Sequence, residues 1–243
     1  MSPFSNQQPK RIVVLTGAGV SAESGLKTFR DNNGLWENHR VEEVATPEAF
    51  SANPGLVQRF YNARRSQLVE EAEPNKAHQA LAQFESRFEG EFLLVTQNVD
   101  DLHERAGSDK LLHMHGELRK VRCSKTHQVY ERNEPLFYEE LCPCCGLPGK
   151  LRPHIVWFGE FPLFMEEIYR ALDDCDLFVS IGTSGNVYPA AGFQQVAQQA
   201  GAHTVELNLE ASNGADRFDE HHHGPATEVV TRFFDQLLEL PNG

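Results

Sequence analysis

The stretch Arg11-Ile12-Val13-Val14-Leu15-Thr16-Gly17-Ala18-Gly19-Val20-Ser21-Ala22 opens as a short run of branched apolar residues and breaks into a glycine-rich turn. A run that is apolar at nearly every position fits a strand buried on both faces. The G-x-G-x-x-A turn after it fits a backbone that must approach a pyrophosphate closely, with a helix N-terminus behind it to favour the negative charge. Three further stretches read as strands of the same kind: Phe92-Leu93-Leu94-Val95-Thr96, Leu177-Phe178-Val179-Ser180-Ile181 and Thr204-Val205-Glu206-Leu207. Helical apolar spacing lies between and around them, over 77–88, 164–172, 193–200 (closed by Gly201) and 226–240 (stopped by Pro241). Strands alternating with helices predict an α/β fold with a parallel sheet.

Each strand runs into a polar cluster. The first meets Gly17-Ala18-Gly19, the second Gln97-Asn98-Val99-Asp100, the third Gly182-Thr183-Ser184 and the fourth Asn208-Leu209-Glu210. Loops are polar in any protein, so one such cluster decides nothing. Four of them at the carboxyl ends of parallel strands point to one shared site. A hydride-transferring enzyme would next need a second strand ending in an acid about 20 residues on, to hold a ribose. The corresponding stretch, Gly34-Leu35-Trp36-Glu37-Asn38-His39, has no strand pattern. The loop therefore predicts a dinucleotide without the dehydrogenase layout, and leaves the polar segment from Ser21 to Asp31 to reach the nucleotide.

Composition narrows the partners. The chain has 243 residues, 40% of them hydrophobic, enough for one large domain with a real core. A formal net charge of −13 argues against general nucleic-acid binding and favours basic partners such as lysine-bearing protein segments. No apolar run approaches the roughly 20 residues needed to cross a bilayer, and the first residues lack an apolar signal core. A cytoplasmic protein, away from the membrane, is expected. Of five cysteines, four fall between 123 and 145, and an odd, clustered set points to metal rather than to disulfides.

The motifs together resemble those of the sirtuins, the NAD-dependent protein deacylases. The resemblance is carried by Gly17-Ala18-Gly19-Val20-Ser21-Ala22-Glu23-Ser24-Gly25 with Thr28-Phe29-Arg30, by Thr96-Gln97-Asn98-Val99-Asp100 with Leu102-His103, and by His113-Met114-His115-Gly116. Leu151-Arg152-Pro153-His154, Val156-Trp157-Phe158-Gly159-Glu160, Gly182-Thr183-Ser184 and Asn208-Leu209-Glu210 complete the series, in family order, from about residue 12 to 226. The nearest likeness is to bacterial class III sirtuins of the cobalamin-biosynthesis B type. It implies a Rossmann-like parallel sheet forming a single catalytic domain over 1–243, with a helical module at 32–75 and a small zinc-binding module at 118–153.

The resemblance also implies roles. Gly17, Ala18, Gly19, Ser21, Ala22, Glu23, Thr28, Phe29, Arg30 and Trp36 would bind NAD, and Gln97, Asn98, Val99 and Asp100 would line its nicotinamide and ribose end. Gly182, Thr183, Ser184, Asn208, Leu209, Glu210 and Ala226 would hold the adenosine side. Val156, Trp157, Phe158 and Gly159 would hold the substrate, an acylated lysine of another protein. A base working near neutral pH is naturally histidine. His103 and His113 rival His115 on residue type alone, and the family pattern selects His115. The expected products are nicotinamide, free lysine and O-acyl-ADP-ribose. A mono-ADP-ribosyltransferase or a non-enzymatic NAD sensor would use the same pocket, and a DNA-binding zinc module is disfavoured by the charge.

Two refinements follow. Tyr61 and Arg64 lie three apart in a helix starting near Pro54, so they share a face and could grip a carboxylate. In class III sirtuins the matching pair recognises the carboxylate of succinyl- or malonyl-lysine, which implies desuccinylase beside deacetylase activity. Arg59 and Arg65 are expected to be ordinary solvated arginines. Structural zinc in the family uses two C-x-x-C pairs. Here Cys142 and Cys145 form one pair, while Cys123 is followed at the partner position by Thr126, leaving His127 or Cys144 as the fourth ligand. Cys175 is expected in the core, and His221-His222-His223 in an exposed loop.

Overall fold

The computed structural model describes residues 4, 8–26, 35–36 and 39–241. Among them, six parallel strands form one sheet in the order β11-β10-β9-β1-β4-β5. These are β1 (Arg11–Thr16), β4 (Glu91–Thr96), β5 (Leu111–His113), β9 (Leu177–Ile181), β10 (His203–Asn208) and β11 (Glu220–His223). Between β1 and β4 come β2 (Leu35–Trp36), β3 (His39–Arg40), α1 (Val41–Val44), α2 (Pro47–Ala52), α3 (Pro54–Glu70) and α4 (Lys76–Arg87). After β4 the chain forms α5 (Leu102–Ala106), and after β5 the strands β6 (Gly116–Cys123), β7 (Val129–Glu131) and β8 (Leu151–Ile155). The remaining helices are α6 (Met165–Leu172), α7 (Phe193–Gln199) and α8 (Ala226–Leu238).

The apolar runs are explained by cover on both faces. Ile12 and Val14 of β1 join Leu81 and Phe84 of α4 and Val230 and Phe234 of α8 in one core cluster. Val13 and Leu15 point the other way, into a second cluster with Ile168 of α6 and Phe193 of α7. Successive strand residues alternate faces, so a strand buried on both sides is apolar at most positions rather than at every second one. A third cluster lies outside the sheet, where Val57, Phe60, Tyr61 and Leu68 of α3 meet Leu118, Ile155 and Trp157 beside the antiparallel β7-β6-β8 sheet.

Several expectations need correction. The glycine-rich turn leads not into an α-helix but into two 3-10 turns, Ala18–Val20 and Ala22–Ser24, the second closed by Gly25 at φ 85°. His221-His222-His223 is no loop: it forms the edge strand β11, paired in register with β10. Backbone pairing and contacts of His222 with Glu220 (2.7 Å) and His223 with Glu206 (3.5 Å) stabilise a strand that carries no apolar signal. Leu35–Trp36 also belongs to a strand, a two-residue antiparallel pairing with His39–Arg40 that stands apart from the main sheet. Arg65 is 1% exposed: its Nε donates to the Leu118 carbonyl at 2.9 Å and its Nη1 to Asn62 at 2.9 Å. Cys175 is buried against the second cluster, as expected.

Candidate active site

β1 is the switch point of the sheet, because the chain runs from it outward to β4 on one side while β9 flanks it on the other. The crevice beyond the carboxyl ends of such strands is where ligands bind. Two loops meet there at backbone contact. Gly17 N–H donates to the Ile181 carbonyl and Gly19 N–H to the Gly182 carbonyl, each at 2.9 Å. A Cβ on Gly19 would lie 2.7 Å from Cα of Gly182, and one on Gly182 would lie 2.5 Å from the Val20 nitrogen. The glycines of the turn therefore serve first to let the β1 and β9 loops touch, which shapes the floor of the crevice.

The β4 loop closes one side of it. The Thr16 and Thr96 hydroxyls, at paired positions of β1 and β4, are 2.8 Å apart. Asn98 donates from Nδ2 to the Gly17 carbonyl (3.2 Å) and to the Ser21 hydroxyl (3.1 Å), and Ser21 donates to Oδ2 of Asp100 (3.1 Å). Asn98, Asp100 and Ser21 are all buried, and burial pushes the Asp100 carboxyl up to about 6 despite bonds from Leu102 N–H and Ser21. Polar groups this well buried are satisfied by one another, as their burial requires. Val99 sits in the same loop, its carbonyl accepting from Leu118 N–H at 2.7 Å.

The three histidines separate by environment. His103 is 1% exposed, bonded to Thr16 and packed edge-on against His78, and burial holds it well below the usual histidine range. His113 is buried, with Nδ1 3.1 Å from the Asn98 carbonyl and Nε2 2.6 Å from Glu104. His115 is half-buried, and its Nδ1 lies 3.1 Å from the Gln97 carbonyl. A carbonyl can only accept, so Nδ1 of His115 carries the proton and Nε2 keeps its lone pair. Burial lowers the His115 pKa while the Gln97 bond raises it, with a net fall. Such a ring is a neutral base.

On the β9 and β10 side, Asn208 donates to the Thr183 carbonyl at 2.8 Å and accepts from Leu209 N–H at 3.0 Å. The Ser184 carbonyl accepts from Asn213 N–H at 3.3 Å. Leu209 and Glu210 are exposed at the rim. The Glu23 carboxylate accepts from Thr227 N–H (3.0 Å) and Thr227 hydroxyl (2.6 Å), which ties the first loop to the start of α8 beside Ala226. Ala22 is exposed on the same turn. Thr28, Phe29 and Arg30 lie outside the described residues, and Trp36 is described through its backbone pairing alone. Sequence reading missed Asn213 and Arg217, which line the crevice together with Gln97, Ser180 and Thr183. Their signal was faint, a polar stretch well past the end of β10.

Val156 N–H donates to the His115 carbonyl (2.8 Å) and Phe158 N–H to the Ala45 carbonyl (3.0 Å), so the segment before Gly159 bridges from His115 to the end of α1. Trp157 is buried and donates from its indole to the Tyr61 hydroxyl at 2.9 Å. Arg64, half-buried one turn on, has its guanidinium carbon 5.9 Å from the Phe60 ring centroid. Tyr61 is fully buried, which raises its pKa beyond the usual tyrosine range.

The sulfurs of Cys123, Cys142, Cys144 and Cys145 lie within 4.8 Å of one another. Four thiolates around zinc at about 2.3 Å would stand roughly 3.8 Å apart, and the Cys123–Cys145 separation is 3.9 Å. The set fits structural zinc, and it brings in Cys144 rather than His127, which is exposed and outside the cluster.

The Sir2 family model matches residues 17–189. The chain is 61% identical over 229 residues to an NAD-dependent protein deacylase of Pasteurella multocida, covering 94% of this chain and 98% of that protein. It is 60% identical over 230 residues to an NAD-dependent protein deacylase of Salmonella typhimurium, covering 94% and 84%. Among solved structures, a Sir2 homolog–NAD complex superposes with a TM-score of 0.86 at 40% identity, covering 94% of this chain and 90% of the other.

Proposed function

The chain belongs to the Sir2 family, and from that premise we propose how its own residues carry the reaction. It is an enzyme, an NAD-dependent protein deacylase that acts on acylated lysines. NAD supplies the ribose that accepts the acyl group and the nicotinamide that leaves. The backbone of Gly17–Gly19 and of Gly182–Ser184 cradles the dinucleotide, with Asn208–Glu210 and Ala226 at the adenosine side. Gln97, Asn98 and Asp100 line the nicotinamide and ribose end. Val156–Gly159 hold the acyl-lysine across the mouth. His115 takes the proton of a ribose hydroxyl at Nε2. The observation that carries this reading is the bond from His115 Nδ1 to the Gln97 carbonyl, which fixes the tautomer a general base needs.

Finer points belong to the same proposal. Chain 1–243 is one catalytic domain, with a helical module at 32–75 and a zinc-binding module at 118–153. Zinc held by the four cysteines stiffens the small module and takes no part in the chemistry. Tyr61 and Arg64 bind the carboxylate of succinyl-lysine, giving desuccinylase beside deacetylase activity. A cluster of cysteines suited to zinc rather than to disulfides fits a reducing, cytoplasmic location. Separately, among the described residues no helix is long and apolar enough to cross a membrane.

The test is incubation with NAD and matched acetyl-, succinyl- and unmodified lysine peptides, following nicotinamide and peptide mass. Nicotinamide release that depends on the acyl group, with free lysine formed, is the expected result. No acyl-dependent release, or ADP-ribose on the peptide in place of free lysine, would sink the reading. His115→Ala should abolish turnover and leave the fold intact. Arg64→Met should cost desuccinylation far more than deacetylation; equal losses would remove the carboxylate grip.

A further inference from the structure

Both ring nitrogens of His113 face hydrogen-bond acceptors. Nδ1 lies 3.1 Å from the carbonyl oxygen of Asn98, and Nε2 lies 2.6 Å from Oε1 of Glu104. A carbonyl has no proton to give, and an ionised carboxylate has none either. A neutral imidazole would therefore set a lone pair against an acceptor at one end or the other. Only the imidazolium donates at both. We propose that His113 is a positioning residue for deacylation: held as a cation by Glu104, it fixes the Asn98 carbonyl and with it the Gln97–Asp100 loop at the nicotinamide end of the crevice. This rests on the reading that Asn98 and Asp100 line that end.

The surroundings favour the charged ring. From α5 comes Glu104, whose side chain is 39% exposed against 7% for His113, so the pair sits at the inner wall of a cleft. From β6 come Glu117 and Lys120, and Lys120 is already engaged by Glu117 at 2.7 Å. Asp100 and Asp101 face it from the β4 loop, with Asp101 paired to Arg119. His103, buried behind, stays neutral because its pKa is held well below the usual range. Burial alone would lower the His113 pKa, but the bond and charge of Glu104, the charge of Glu117 and the Asn98 carbonyl outweigh it and raise the value. The charge in turn favours ionised Asp100, against the burial that raises its pKa.

The arrangement divides labour between two histidines two residues apart. His115 holds the Gln97 carbonyl with Nδ1 and keeps Nε2 bare, while His113 holds the next carbonyl and has its Nε2 occupied. One is built to take a proton and the other to keep one.

The test reads protonation directly. In protein carrying 15N-labelled histidine, both His113 ring nitrogens are expected to be protonated at about pH 7.5, where an ordinary histidine is mostly neutral. In Glu104→Gln the ring is expected to be neutral at the same pH. The alkaline limb of kcat/KM for NAD, set by loss of the His113 proton, should move to lower pH in that variant. KM for the acyl peptide should stay within about twofold, since the peptide-binding segment is not touched. A neutral His113 in the wild type, or an alkaline limb unmoved by Glu104→Gln, would overturn the assignment. Should the variant fold poorly, the wild-type titration decides alone. Failure of the deacylase reading shows differently, as no acyl-dependent nicotinamide release from the wild type.

Discussion

The indole N–H of Trp157 donates to the hydroxyl oxygen of Tyr61 across 2.9 Å, between two buried residues. The indole is itself fixed: the Arg152 guanidinium carbon stacks 3.3 Å from the ring centroid, and Arg152 is bonded to Glu160 at 2.6 Å. The chain Glu160–Arg152–Trp157–Tyr61 thus uses the hydroxyl oxygen as an acceptor and fixes the orientation of the Tyr61 ring. Trp157→Phe keeps the ring and removes the donor. Desuccinylation kcat/KM is expected to fall about five- to tenfold, the value of one hydrogen bond of roughly 1–1.5 kcal/mol, with deacetylation much less affected. Equal losses on succinyl and acetyl peptides would mean that the bond does not orient Tyr61 for a carboxylate.

Gly182 offers a test of the crevice floor. It sits at φ +62°, and an added Cβ would meet backbone atoms of Val20 and Gly19 at 2.5 and 2.7 Å. Neither neighbour is a flexible side chain that can swing away. Gly182→Ala should destabilise the protein by about 1–3 kcal/mol through overpacking and backbone strain, and should raise KM for NAD by forcing the β1 and β9 loops apart. A thermal midpoint and KM for NAD equal to those of the wild type would show that the loops are not held at contact in solution.

Much of this was legible in the sequence because the physics is local. β1 and β9 announced themselves to the residue, since a strand covered on both faces is apolar along most of its length. Other features depend on partners far along the chain. β11 exists because β10 offers an edge and Glu206 and Glu220 accept imidazoles, none of which is written in His221-His222-His223. Arg65 looked solvated because nothing adjacent reveals that Leu118 and Asn62 wait for it. Among the site residues, motif order could single out His115, but the pairing of His113 with Glu104 needed the fold to bring the Glu104 side chain of α5 to the end of β5. The fourth cysteine was likewise a matter of where a loop turns, not of spacing.

The cysteine cluster separates two ligand sets cleanly. Cys123, Cys142, Cys144 and Cys145 converge, and the Thr126 hydroxyl lies 3.0 Å from Cys144. Cys144→Ser should lower the zinc content of purified protein well below one per chain and make the remainder easily stripped by chelator, with a drop in thermal midpoint. His127→Ala should keep zinc at one per chain. Metal analysis giving the opposite pattern would restore His127 as the fourth ligand.

His115 should set an acid limb on turnover. As a base it must be neutral, so activity is lost as pH falls through its pKa, which burial holds below the ordinary 6.5. The limb of single-turnover deacylation is therefore expected on the acid side of that value. A limb at or above it would assign the base elsewhere.

Stability should show a separate acid loss, owed to two histidines that never take part in the chemistry. Burial lowers His78 to about 4 and holds His103 well below the usual range, so both are neutral in the folded protein near pH 6 while the unfolded chain takes up their protons. Their contribution is whole above the ordinary value of 6.5 and is lost as pH falls toward the folded values. For His78 that amounts to on the order of 3 kcal/mol between its unfolded and folded values. Asp100, raised to about 6, works the other way over part of the same window, because the folded state holds its proton more firmly. Denaturant unfolding should therefore weaken steadily from about pH 7 to 4.5, and His78→Gln should flatten that slope. A slope unchanged by the substitution would show that His78 is charged, or open to water, in the folded protein.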